Sequence, residues 1–424
     1  MLRLKIGERL RQIRIHRELT QADLVDGICS MTYISRIENG KIKPSISFLR
    51  KVASRLEVEL SFLLDSDNDK SDDDIERIFL DYQTEKNLDQ QDLSLLRLTA
   101  LENHSSATLA KIYYMLISYF TNRDIELADL YVAQAGKLIS NTISPPVDEA
   151  LISYFESLSH YHYVKQNYSE AYFFVNIVSR ILPADCPGVR RAKNHYNLSL
   201  IRQHIDEDLE LARFHSKEAL AIFKEIDDSR GITASLVNLA VQSHRNGLYE
   251  DSLAYLDELA SLTESNPSNH YNSILNYNYG RVYQHLKQYD KAYTYFNASI
   301  DNNIQAGKEQ GSIHALKCLI EMNIELKSWD EVHNHLTRAF NLTESYHLPY
   351  PYIELLHYKA KLFKVRADEP AYEKEMQNAV NLAQEGTYSL LIRRLSGELA
   401  DHYNDLRAYK MAAKYYKIAL EHVQ

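Results

Sequence analysis

Two rhythms of apolar and polar residues divide this chain. Between Thr20 and Pro44 the apolar seam Leu24, Ile28, Ile34 and Ile37 is spaced for two short helices, joined by a tight turn at Asp26-Gly27-Ile28-Cys29-Ser30. Thr20 is placed to cap the first helix, Gln21 opens it, and Asn39-Gly40 stops the second. Beyond residue 75 the pattern is helical throughout, with no alternating strand signal. A small residue recurs there at Ala128, Ala171, Ala212, Ser252 and Ala292, then less clearly at Val332 and Ala371, and again at Ala412. The intervals are 43, 41, 40, 40, 40, 39 and 41 residues. A sustained period of this length predicts stacked helix pairs, the small residue letting the second helix of each pair approach the first. The fold is therefore expected to be all-α.

The stretch from Thr20 to Pro44 resembles the phage-repressor-like helix-turn-helix family. The resemblance covers residues 4–64, including Ile6-Gly7-Glu8-Arg9-Leu10-Arg11 before the motif and Pro44-Ser45-Ile46-Ser47-Phe48-Leu49 after it. The turn is one residue tighter than in typical phage repressors and looks like that of PlcR and NprR. This resemblance implies a five-helix DNA-binding head over 1–64. Further on, Leu406 to Glu421 resembles the second half of a tetratricopeptide repeat, with Ala412, Tyr416 and Ala419 at its small-large-small positions, and Tyr289-Asp290-Lys291-Ala292-Tyr293-Thr294-Tyr295-Phe296 is a similar unit. That implies a right-handed α-solenoid of eight repeats over 75–424, or nine if 75–102 forms a further pair. Repeats of this family are usually nearer ~34 residues, so the longer period implies longer helices or longer inter-repeat loops.

Charge separates the same two regions. Residues 1–64 hold 12 Lys and Arg against 7 Asp and Glu, while the remainder holds 36 against 51. A basic head on an acidic body directs nucleic acid to the head alone. Between them lies Asp65-Ser66-Asp67-Asn68-Asp69-Lys70-Ser71-Asp72-Asp73-Asp74, six of ten residues being Asp, which reads as a solvated linker over 65–74. Asp65, Asp67, Asp69, Asp73 and Glu76 fall at calcium-loop spacing, but Lys70 stands where that loop needs Gly and Asp72 where it needs an apolar residue, so no metal is expected, and the terminal Asp residues are placed to cap the next helix and favour its dipole. Cys29, Cys186 and Cys318 are too far apart in sequence for a disulfide framework. No HExxH, CxxC, Walker or GxSxG motif occurs, and no enzyme activity or cofactor is expected. With no apolar signal core and no membrane-length apolar run, the expected location is cytoplasmic.

The site residues follow from the helix-turn-helix register. With Ile34 and Ile37 inward, Ser30, Met31, Thr32, Ser35 and Arg36 lie on or beside the exposed face of the second helix, where Arg36 can read a guanine by a bidentate bond. Gln21, Asn39 and Lys41 suit phosphate contact, and Tyr33 suits either task. The resemblance implies that Arg14 pairs with Glu38 as a bridge between helices. In the repeats, Asn197, Asn238 and Asn278 stand 14 or 15 residues before the small residues Ala212, Ser252 and Ala292. That position faces the concave groove of repeat proteins of this type, where an amide matches an extended peptide backbone. The alternative is hydrogen bonding between helices. Arg245 and Arg281 lie on the same face and can take a carboxylate.

A repressor-like head, an acidic hinge and a long solenoid together resemble the quorum-sensing regulators of Gram-positive bacteria, the family of Rap, NprR, PlcR, PrgX and Rgg, and length favours the NprR-like branch. The resemblance implies a cytosolic transcription factor binding palindromic double-stranded DNA, a short signalling peptide in its groove, and itself as a dimer or higher oligomer. A second reading is a Rap-like action on a response regulator, for which Gln83, Gln90 and Gln91 are the available amides.

Overall fold

The computed structural model describes the chain apart from residues 1–5, 18, 57, 59, 61–62, 64–67, 101–104, 139–148, 184, 207–208, 266–268 and 423–424. The described residues contain twenty-two α-helices, one 3-10 turn and no strand. They divide into two compact units, Met1–Cys186 and Pro187–Gln424.

The first unit opens with four short helices: α1 (Ile6–His16), α2 (Gln21–Val25), α3 (Met31–Glu38) and α4 (Ile46–Leu56). The expected fifth helix of the head falls on 57–67, most of which lies outside the described residues. Leu10, Ile13, Leu24, Ile34, Ile37 and Val52 are sealed from solvent in one cluster. At Gly7 the backbones of α1 and α3 meet: a Cβ there would lie 1.7 Å from the Ile37 carbonyl oxygen.

The acidic stretch departs from expectation. From Asn68 it is helical, forming the first turns of α5 (Asn68–Glu85), while 65–67 lie outside the described residues. A run of Asp at a helix start is favoured by the macrodipole, which explains why this composition need not remain a linker. Helix α6 (Gln90–Thr99) follows, and its Leu98 joins the apolar cluster of the head. Two helix pairs complete the unit: α7 (Ser106–Phe120) with α8 (Ile125–Leu138), and α9 (Glu149–Val164) with α10 (Tyr168–Ile181).

The second unit holds six pairs: α11 (Gly188–Ile205) with α12 (Glu210–Glu225), α13 (Ser229–Arg245) with α14 (Tyr249–Ser265), α15 (Asn269–His285) with α16 (Tyr289–Gln305), α17 (Ser312–Glu325) with α18 (Trp329–Ser345), α19 (Pro349–Val365) with α20 (Glu369–Glu385), and α21 (Ser389–Asp405) with α22 (Tyr409–Leu420). From α13 onward the spacing is strict. Left-handed residues stand at Asp227, Gly247, Lys287, Gly307, Lys327, His347, Ala367, Thr387 and Arg407, all multiples of 20 residues apart. At these junctions the next amide reaches back to the last turn, as in Leu248 N–H to the Ser243 carbonyl (2.9 Å) and Asp368 N–H to the Phe363 carbonyl (2.9 Å), which is the Schellman arrangement. Most of the helices are 17 residues long with three-residue turns, so the long period is spent on helix rather than loop.

This rhythm corrects one anchor. Ser252, Ala292, Val332 and Ala412 are all buried, but Ala371 is only half-buried; the sealed residue of that repeat is Tyr372, which restores a constant step of 40. A large ring thus occupies a position that is small elsewhere. The opposite exchange occurs at Gly280, where a Cβ would lie 2.6 Å from the buried Phe296 ring.

Candidate DNA-binding head and repeat face

Helix α2 begins in a full capping box. Thr20 Oγ1 accepts from the Asp23 N–H (3.1 Å), and the Asp23 carboxylate accepts from the Thr20 N–H (2.9 Å) and hydroxyl (2.6 Å), which holds Asp23 below its usual carboxylate range. Ser30 caps α3 through the Tyr33 N–H (3.3 Å). At the far end Asn39 Nδ2 donates to the Ser35 carbonyl (2.7 Å), and Gly40 turns out of the helix at φ 68°.

Beneath α3 sits a buried polar anchor. Arg14 Nε and Nη2 donate to the two oxygens of Glu38 at 2.7 and 2.9 Å, and Arg14 Nη1 donates to the Leu19 carbonyl (2.9 Å). Glu38 is 5% exposed. Its hydrogen bonds raise the Arg14 value further above an already basic range. The bridge between α1 and α3 is therefore present. Gln21 belongs to it as well, its Nε2 donating to Glu38 (2.7 Å), so the amide expected to face phosphate is already occupied. Tyr33 is committed inward too, half-buried and edge-on to Phe48 at 5.3 Å.

The remaining candidates form the outer face. Ser30, Met31, Thr32, Arg36, Asn39 and Lys41 are exposed, while Ser35 is half-buried beside the Asn39 amide. Arg55 is a residue that sequence reasoning missed. Its guanidinium donates to the carbonyls of Asp26 (2.5 Å) and Asp23 (3.2 Å), closing the C-terminal end of α2 from roughly thirty residues away, a separation that leaves no local signal.

On the repeats the three asparagines part company. Asn238 is buried, and its Nδ2 donates to Ser199 Oγ (2.9 Å) and Ser216 Oγ (3.2 Å); Gln242 joins the same cluster, donating to Ser199 Oγ (2.8 Å). Ser199, Ser216 and Gln242 are all sealed from solvent. The geometry thus assigns Asn238 to the stitching of α11, α12 and α13 rather than to a groove, because a buried amide must be satisfied within the protein. Asn278 is also buried and bonds the Ile274 carbonyl of its own helix (2.8 Å). Asn197 is half-buried and makes no hydrogen bond with another described side chain. Arg245 reaches the Gln203 carbonyl (2.9 Å), and among the described residues the Arg281 side chain reaches only the Cys318 thiol (3.6 Å).

Two histidine pairs lie in the same unit. His195 Nδ1 and His215 Nδ1 are 3.0 Å apart, and His244 Nε2 and His285 Nδ1 are 2.9 Å apart. Burial, then the neighbouring imidazole, pulls His215 and His244 down to about 4.

A capped helix-turn-helix with an exposed second helix, followed by helical repeats, defines the class: a helix-turn-helix head on a repeat body. The helix-turn-helix family matches residues 10–63. Curated protein sequences give no match. Among solved structures, the apo form of the quorum sensor NprR from B. thuringiensis is similar at 16% identity, with 84% of this chain and 98% of that chain covered and a TM-score of 0.55. NprR in complex with its cognate peptide NprX gives 17% identity over 83% and 99%, with a TM-score of 0.55. A Rap protein complexed with competence and sporulation factor gives 13% over 83% and 96%, at 0.56. The chain has the fold of these proteins. Among the described residues no helix is long and apolar enough to cross a membrane.

Proposed function

We propose that this protein is a cytoplasmic transcriptional regulator that binds palindromic DNA through its head and is controlled by a short signalling peptide held along the first helices of its repeats. The observation that carries the reading is the head itself: α3 turns Arg36, Thr32 and Met31 outward over an internally satisfied Arg14–Glu38–Gln21 anchor. A rigid base under an exposed polar face is what major-groove reading requires. The fold shared with peptide-bound NprR supports the second half. A single small head has limited specificity, and two heads on a palindrome multiply affinity through effective concentration. An agent that sets the spacing of two heads therefore sets DNA binding. Footprinting tests the head: Arg36→Ala removes about 1–3 kcal/mol of base discrimination, whereas Lys41→Ala weakens all sequences alike and flattens the salt dependence. A footprint indifferent to Arg36→Ala overturns the assignment.

A further inference from the structure

Several cations of the repeat helices meet acceptors. Lys317 meets Glu354 at 2.6 Å, Arg394 reaches the same carboxylate at 3.7 Å, Arg202 meets Asp206 at 2.9 Å, and Arg245 donates to the Gln203 carbonyl. Arg281 on α15 differs. It is half-buried, makes no ion pair among the described residues, and has as its side-chain partner the Cys318 thiol of α17. Cys318 is itself 2% exposed, and burial pushes its thiol up, so it stays neutral and supplies no counter-charge. The nearest acidic influence is Glu321, exposed and beyond ion-pair distance. The hydroxyl of Tyr277 lies 4.0 Å from the same thiol, and Tyr358 on α19 is within electrostatic reach of the guanidinium.

A partly desolvated guanidinium without a carboxylate is costly, and it is most favourably matched by a planar bidentate anion. The phenols beside it add donors that suit an oxygen anion. We infer that Arg281, flanked by Tyr277 and Tyr358, is the receptor for a carboxylate of the bound peptide. The inference rests on the peptide reading above and deepens it: the ligand enters this part of the repeats with a free acid, contributed either by its C-terminus or by an Asp or Glu side chain.

The test uses the full chain and four sets of synthetic heptapeptides, with and without Asp and Glu, each as the free acid and as the C-terminal amide. Retention on the immobilised protein is read by mass spectrometry. The expected result is that sets carrying a carboxylate are enriched roughly tenfold or more over the amidated set lacking acids. Enrichment of free acids in the set without Asp and Glu assigns the terminus, and enrichment of both sets with Asp and Glu, amidated or not, over both sets without them assigns the side chain. In Arg281→Gln the preference disappears. Cys318→Asp, which leaves Arg281 in place but supplies it with an internal carboxylate, abolishes the preference too while helical content stays at wild-type level. Peptides retained without any carboxylate preference, or a preference that survives in Arg281→Gln, overturn the inference and leave the peptide reading standing. Retention of no set overturns both.

Discussion

The head and the second unit solve the problem of holding helices together in different ways. Helices of the head are 5 to 11 residues long, below the length at which a helix persists alone. They are held by specific side chains: a capping box at Thr20, a serine cap at Ser30, an asparagine brace at Asn39, and the Arg14–Glu38–Gln21 anchor. Helices from α13 onward run mostly to 17 residues, and many start without a side-chain cap, as at Gln288, Ser328 and Tyr388. Their ends are closed by the backbone. Stacking over long faces makes local refinement dispensable, and the turns show it. Lys, His, Ala, Thr and Arg sit in left-handed conformations where glycine is unstrained. Small, specified domains concentrate their stability in a few residues; repeats spread it.

That contrast is sharpest at Glu38. Glu38→Ala leaves the half-buried Arg14 guanidinium without its carboxylate, held only by the Leu19 carbonyl, and the expected loss is about 3 kcal/mol in the head. Hydrogen exchange of the α1–α4 amides reads it, and a double-mutant cycle with Arg14→Met should return strong coupling. Additivity of the two changes would deny the anchor its role.

Asn238→Ala is the comparable lesion in the repeats and should be milder, about 1–3 kcal/mol, because it strands hydroxyl groups rather than a charge. Its melting temperature should fall, whereas Asn197→Ala should melt like wild type and lose peptide affinity instead. Thermal melts and peptide titrations on the two variants decide between stitching and binding; the reverse outcome exchanges their roles.

Acid should distinguish the regions next. His215 and His244 titrate near 6.5 when unfolded and at about 4 in the fold, so the unfolded chain binds more protons between those values. Their contribution is therefore present above about 6.5 and is lost as pH falls towards 4. Melting of the second unit followed from pH 7 to pH 4 should show this decline, and His215→Gln with His244→Gln should flatten it. An equal slope in wild type and the double variant removes the pairs from the account.

The smallest effect is a gain. Ala367→Gly should stabilise the second unit by about 0.5–1 kcal/mol by relieving a left-handed alanine at φ 58°. A lower melting temperature would mean that strain at the turns is not limiting.

Much of the head was legible because its signals are local. Caps, seam and stop lie within a few residues of what they affect, and the Arg14–Glu38 bridge came with the resemblance. The repeat period was legible for the same reason, since a helix pair announces itself through its small residue. What was not legible was the partner of a side chain outside that resemblance: Gln21 and Tyr33 read as suited to DNA contact, and the structure turns them towards Glu38 and Phe48. At the acidic stretch the terminal Asp residues read as favouring the next helix, but the linker was drawn too long, because composition alone does not say where solvated coil gives way to a helix start that favours acids.

By itself the sequence determined an all-α chain, a helix-turn-helix with its exposed face, and a period near forty. These depend on short-range sterics, capping and amphipathic spacing, which each segment carries within it. The tertiary structure alone decided which polar side chains are free. Three asparagines at matching positions became a buried stitch, a helix-internal bond and a free amide, because each meets a different neighbour: Ser199 and Ser216 for Asn238, the Ile274 carbonyl for Asn278, and no described side chain for Asn197. It likewise put Tyr372 rather than Ala371 in the sealed position, since burial is settled by the facing helix and not by the residue's own size. Periodicity locates a position on a helix; only packing across helices, over separations of 20 to 40 residues, settles whether that position meets solvent, ligand or another side chain.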